Sequence, residues 1–125
     1  MPPFHELDKL CVRIDKVAYL PELEAPRDRP YPYVYFITIE NHTNETITIK
    51  GRKWVVTDEK GNRTVVEGDG VVGKFPKLKP GASFSYNSYH AVGCDSVAEG
   101  AFIGVNEAGE AVIARIPPFA MKVPR

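Results

Sequence analysis

The sequence predicts an all-β chain, a sandwich of two antiparallel sheets with about seven strands, on three observations. Valine and isoleucine number 22 against 5 leucines, a skew toward β-branched side chains that pack well on pleated strands and lose rotamer freedom in helices. No window of a dozen residues spaces its apolar positions by three and four, as an amphipathic helix requires. Eleven prolines and ten glycines punctuate the chain, leaving room between them only for short elements. A chain of 125 residues makes one domain and can bury about two thirds of its unfolded surface. Residues 1–9 read as a disordered tail and residues 10–125 as the domain.

The elements follow in order. Leu10 to Leu20 alternates with Leu10, Val12 and Ile14 inward, then resumes out of phase at Val17 and Tyr19, which predicts a bulge near Asp15. A Pro-rich charged connection, Pro21 to Pro32, follows. Tyr33 to Asn41 is apolar on both faces, the mark of a strand in mid-sheet. Ile47 and Ile49 share one parity and Trp54 and Val56 the other, so a second bulge at Gly51 is needed to keep all four inside, with Trp54 as the largest core anchor. Asp58-Glu59-Lys60-Gly61-Asn62 turns the chain into Arg63 to Glu67. Pro80-Gly81 leads into Ser83 to Ser88, and Asn106 to Gly109 joins Ala101–Val105 to Glu110–Ile116, after which Pro117 and Pro118 force an edge or a break in pairing.

Charge and cysteine usage narrow the function classes. Sixteen basic residues balance sixteen acidic ones, which argues against a nucleic-acid or anionic-membrane surface. No apolar run approaches a membrane helix, and Met1 to Glu6 has no basic and apolar export signal, so the expected location is the cytoplasm. Cys11 and Cys94 are expected as two small buried hydrophobes rather than a disulfide.

Gly68-Asp69-Gly70-Val71-Val72-Gly73 matches Gly-x-Gly-x-x-Gly, but Pro76, Pro80 and Gly81 forbid the helix a dinucleotide site needs, and Phe75 stands where a P-loop has Ser or Thr. Two readings remain. Gly68, Gly70 and Gly73 serve the backbone geometry of a long loop, or their amides form a nest for phosphate or pyrophosphate, with Lys74, Arg52 and Lys53 adding charge. Glu67 and Asp69 oppose the anion. His42, His90 and Cys94 lack the clustering of a metal site, and Gly81-Ala82-Ser83-Phe84-Ser85 fails the nucleophile-elbow pattern. No cofactor, metal or catalytic residue is expected. Tyr31 and Tyr89, both beside turns, are the candidate partner surface.

The run from Trp54-Val55-Val56-Thr57-Asp58 through Val66–Gly73 to Pro76–Tyr86, with Tyr33–Asn41 before it and Ile116-Pro117-Pro118-Phe119 after, closely resembles the bacterial ApaG family. The likeness spans most of the chain. Lys53 departs from it where a histidine is expected, as does Tyr89–Cys94 where a loop richer in Gly and Pro is expected. The resemblance implies an immunoglobulin/fibronectin type III-like sandwich. It also implies a genetic association with cobalt tolerance and magnesium efflux, and, through related domains in F-box proteins, a partner-binding role. The expected function is therefore a non-enzymatic module for an unidentified protein partner, with phosphate or pyrophosphate binding at Gly68–Gly73 as the alternative. Self-association through an edge strand stays open.

Overall fold

The computed structural model describes residues 5–124. Among them there is no helix; nine strands form two sheets. They are β1 (His5–Glu6), β2 (Leu10–Tyr19), β3 (Tyr31–Asn41), β4 (Ile47–Asp58), β5 (Arg63–Asp69), β6 (Lys77–Leu78), β7 (Ser83–Val92), β8 (Ser96–Val105) and β9 (Ala111–Met121). The larger sheet runs β1-β9-β8-β4-β5, with β6 pairing the start of β4; the smaller runs β2-β3-β7. All seven sequence-predicted strands are present. The two further strands are pairs of residues too short to show a period. One of them corrects the expected tail: His5 and Glu6 pair in parallel with Val112 and Ile113, while residues 1–4 lie outside the described residues.

The bulges fall where side-chain parity breaks. The β2–β3 register shifts between Ile14 and Lys16, and the β4–β8 register between Ile49 and Gly51, making Lys50 the extra residue. A third shift, between Ala98 and Gly100, lies opposite Pro117 and Pro118, whose missing donors break the ladder there. Both prolines are nonetheless inside β9, which continues to Met121.

Between the sheets, Ile37, Ile39, Ile47, Ile49, Phe102 and Met121 pack around Trp54, which is 1% exposed. The indole meets Tyr35 at 4.9 Å, His90 at 4.7 Å and Phe119 at 5.8 Å between ring centroids. Asn41 is fully buried, and its side chain is satisfied: the amide donates to the carbonyls of Glu45 and Leu78, and the oxygen accepts from Thr43. It thereby fastens the turn after β3 to β6. Cys11 and Cys94 are free thiols, half-buried rather than in the core.

Candidate functional site

Three features meet along one side of the sandwich: the glycine loop, the outer edge of β5, and a cleft between β5 and β7. The loop begins where β5 ends. Arg52 pairs with Gly68 across the β4–β5 ladder and with Phe102 across β4–β8, so its side chain shares the inner face with that buried phenyl ring. Its Nη1 donates to the carbonyl oxygens of Asp69 and Gly70 at 3.0 and 3.1 Å. A Cβ on Gly68 would lie 2.7 Å from that guanidinium. Gly68 is thus the space that Arg52 occupies.

Val71 to Lys74 form a tight hairpin. Val71 N–H donates to Lys74 O at 2.7 Å and Lys74 N–H returns to Val71 O at 2.9 Å. The two central residues, Val72 and Gly73, have φ of 44° and 79°, the paired positive values a type I′ connection demands. Gly70, at φ 63°, passes so near this turn that a Cβ would lie 2.4 Å from Lys74 O. Its own N–H donates to Lys50 O at 2.7 Å. The amides of Gly70, Val71 and Lys74 are therefore engaged by protein carbonyls, and Arg52 faces carbonyls too. A phosphate nest needs several N–H groups converging on open space, and three of the loop's are held by protein carbonyls.

Lys53 points to the opposite face, where its ammonium lies 3.7 Å from Glu67. Lys74 is exposed at the hairpin tip. The structure thus brings Gly68, Gly70, Gly73, Lys74 and Arg52 together and separates Lys53 from them. Tyr31 and Tyr89 are elsewhere. Tyr31 is half-buried against Tyr19, with centroids 6.1 Å apart, and Tyr89, 44% exposed, donates its hydroxyl to Glu24 O at 3.3 Å.

Tyr89 lines the cleft, a hollow of about 410 Å³ whose walls include Val56, Thr64, Val66, His90 and Val92. His90 is its least ordinary member. Burial alone lowers its pKa to about 4, so the ring is neutral at physiological pH. Its Nε2, like Trp54 Nε1 and Tyr86 Oη, is buried without a hydrogen-bond partner among the described residues. Burial likewise raises the Tyr86 phenol, with Tyr35 adding and Arg52 opposing.

The sequence predicts β5 as a strand but does not place it at the open edge of the larger sheet. Among the described residues it pairs with β4 and with no other strand, and both of its adjacent valines are open to solvent, Val65 at 55% and Val66 at 40%. Adjacent residues of a strand point to opposite faces. Val65-Val66 could not both have entered one core, and that was the signal available.

The family model for the ApaG domain (DUF525) matches residues 21–103. The chain belongs to the ApaG domain family. It is 35% identical to Protein ApaG of Vibrio cholerae over 116 residues, 91% of this chain and 92% of that one. It is 38% identical to Protein ApaG of Shewanella loihica over 117 residues, 90% and 91% of the two chains. Among solved structures, an ApaA protein from Bordetella pertussis superposes with a TM-score of 0.82 at 30% identity, covering 98% of this chain and 99% of that one. The ApaG match takes in β3 to β7 and therefore the whole of the β5 edge and hairpin.

Proposed function

We propose that this ApaG-type domain is a non-enzymatic binding module that captures an extended segment of a protein partner by adding it as a strand to β5. One observation carries the reading: β5 is a seven-residue strand, free of proline and bulges, whose outer edge is unpaired among the described residues and whose apolar side chains are exposed on both faces. Sheet edges are normally blunted by charge, bulges or brevity. β2 carries a bulge with Arg13, Asp15 and Lys16 around it, β1 has two residues, and the exposed positions at the start of β7 are Ser83, Ser85 and Asn87. β5 has Arg63, Glu67 and Asp69 at its ends and valines at its centre. Strand addition supplies affinity through the backbone and specificity through pockets for alternate side chains, and the cleft on the inner face of β5 is such a pocket. In this reading any part in cobalt tolerance or magnesium efflux runs through the captured partner. Phosphate or pyrophosphate binding is the weaker reading, because the amides of Gly70, Val71 and Lys74 are already engaged by protein carbonyls.

The test uses a soluble peptide of alternating valine and threonine flanked by polar residues. Backbone amide resonances of Arg63 to Asp69 should shift on titration, and Val65→Lys, which introduces the natural edge-blocking residue, should abolish the shifts. Shifts confined to β2 or β7, with residues 63–69 unmoved, would refute strand capture at β5.

A further inference from the structure

We infer that the hairpin Val71–Lys74, with Phe75 and Lys50, reads an apolar residue followed by aspartates or glutamates at one end of the segment docked on β5. This rests on strand capture at β5 and specifies the partner's chemistry. The first observation is strain placed where folding gains nothing from it. Val72 is the one non-glycine among the described residues with positive φ, at 44°, a conformation that a β-branched side chain adopts only at a cost. Glycine or asparagine would make the same turn with less strain. Its side chain is nevertheless 48% exposed, and Phe75, the residue after the hairpin, is 53% exposed. The turn thus holds two apolar side chains in solvent at the chain's own expense, an arrangement that a bound apolar residue would account for.

The second observation is charge. Lys50 is the extra residue of the β4 bulge, and bulges re-aim side chains; its Nζ stands 6.0 Å from the centre of the Phe75 ring. Lys74 and Lys77 flank Phe75 in sequence and are exposed. None of these three lysines joins an ion pair among the described residues, whereas Lys53 has Glu67. Between residues 68 and 77 the sole carboxylate is Asp69. The hairpin continues directly from β5 and is fixed to β4 by the Gly70 N–H to Lys50 O bond, so a segment paired along β5 arrives at this lysine-ringed apolar tip. An acidic bilayer would use the same chemistry, but a chain of zero net charge has no long-range attraction for one. The tip fits a peptide.

Two labelled peptides share a valine–threonine core, one ending in Val-Glu-Asp-Glu and the other in Val-Lys-Ser-Lys, and fluorescence anisotropy measures each against the full chain. The acidic peptide should bind on the order of tenfold tighter at low salt, and the advantage should shrink as salt rises from about 50 to about 500 mM. Lys50→Glu with Lys74→Glu should erase the preference without weakening the basic peptide. Val72→Gly should raise the melting temperature yet weaken the acidic peptide several-fold, separating docking from folding. Equal affinities with intact shifts at residues 63–69 would overturn this inference alone. Binding of neither peptide would overturn strand capture with it. Pelleting with phosphatidylserine vesicles but not phosphatidylcholine vesicles, without peptide discrimination, would assign the tip to a membrane.

Discussion

His90 lies on β7 among the rings that surround Trp54. Its ring is stacked on Tyr35 at 4.9 Å and meets Trp54 edge-on, and burial lowers its pKa from 6.5 to about 4. Between those two values the unfolded chain takes up a proton that the native chain refuses, so stability falls as pH drops through that window, and below about 4 the loss is complete. From pH 7 to pH 5 the fall from this one group is on the order of 2 kcal/mol. Asp15, which the Thr38 hydroxyl and Arg13 hold below the usual carboxylate range, loses its contribution only at still lower pH. His90→Phe keeps an aromatic ring under Trp54 and removes the titration. Urea denaturation at pH 7 and pH 5 should show the difference shrink markedly in the variant; an unchanged pH dependence would place the sensitive group elsewhere.

At the scale of elements, the three glycines of one motif do different work, and substitution should separate them. A methyl at Gly68 presses on the Arg52 guanidinium, the far end of a flexible side chain that can swing away by giving up its hydrogen bonds to the Asp69 and Gly70 carbonyls, whereas at Gly70 it meets the backbone oxygen of Lys74 at 2.4 Å in a positive-φ conformation. Gly68→Ala should therefore cost about 0.5–1.5 kcal/mol, and Gly70→Ala should cost more, about 1–3 kcal/mol, measured by thermal unfolding. The hairpin behind this contrast was only half legible in the sequence. Glycine spacing marked a loop, but only the coordinates show the Val71–Lys74 bridge that closes it. Strand positions were legible because parity is local: Asp15 and Gly51 betray their bulges by the phase change on either side. Sheet neighbours were not legible. Alternation says that Val65 and Val66 face opposite ways, but nothing in Arg63–Asp69 says that β4 covers one edge and no described strand the other, and Val66, which shares the inner face with Trp54 opposite it, is exposed by that accident of order.

The whole molecule follows from unequal sheets. Six strands face three, so the smaller sheet cannot cover the larger, and β5 overhangs with its inner face open beside the cleft. Trp54 is the residue that makes the overhang tolerable. It stands on β4, directly inside β5 and opposite Val66, and closes the core at 1% exposure just where the second sheet runs out. Its removal should therefore unseal the open side as well as leave a cavity: Trp54→Ala should cost about 3–5 kcal/mol, a large share of the roughly 5–15 kcal/mol that a domain of this kind possesses. Trp54→Phe keeps the ring contacts with Tyr35 and Phe119 and deletes the unpartnered indole N–H, whose burial itself costs about 1–3 kcal/mol. Two opposing effects then leave Phe far closer to wild type than Ala. Chemical denaturation followed by far-ultraviolet circular dichroism measures both, and an Ala variant as stable as the Phe variant would mean that the open side is sealed by something other than this indole.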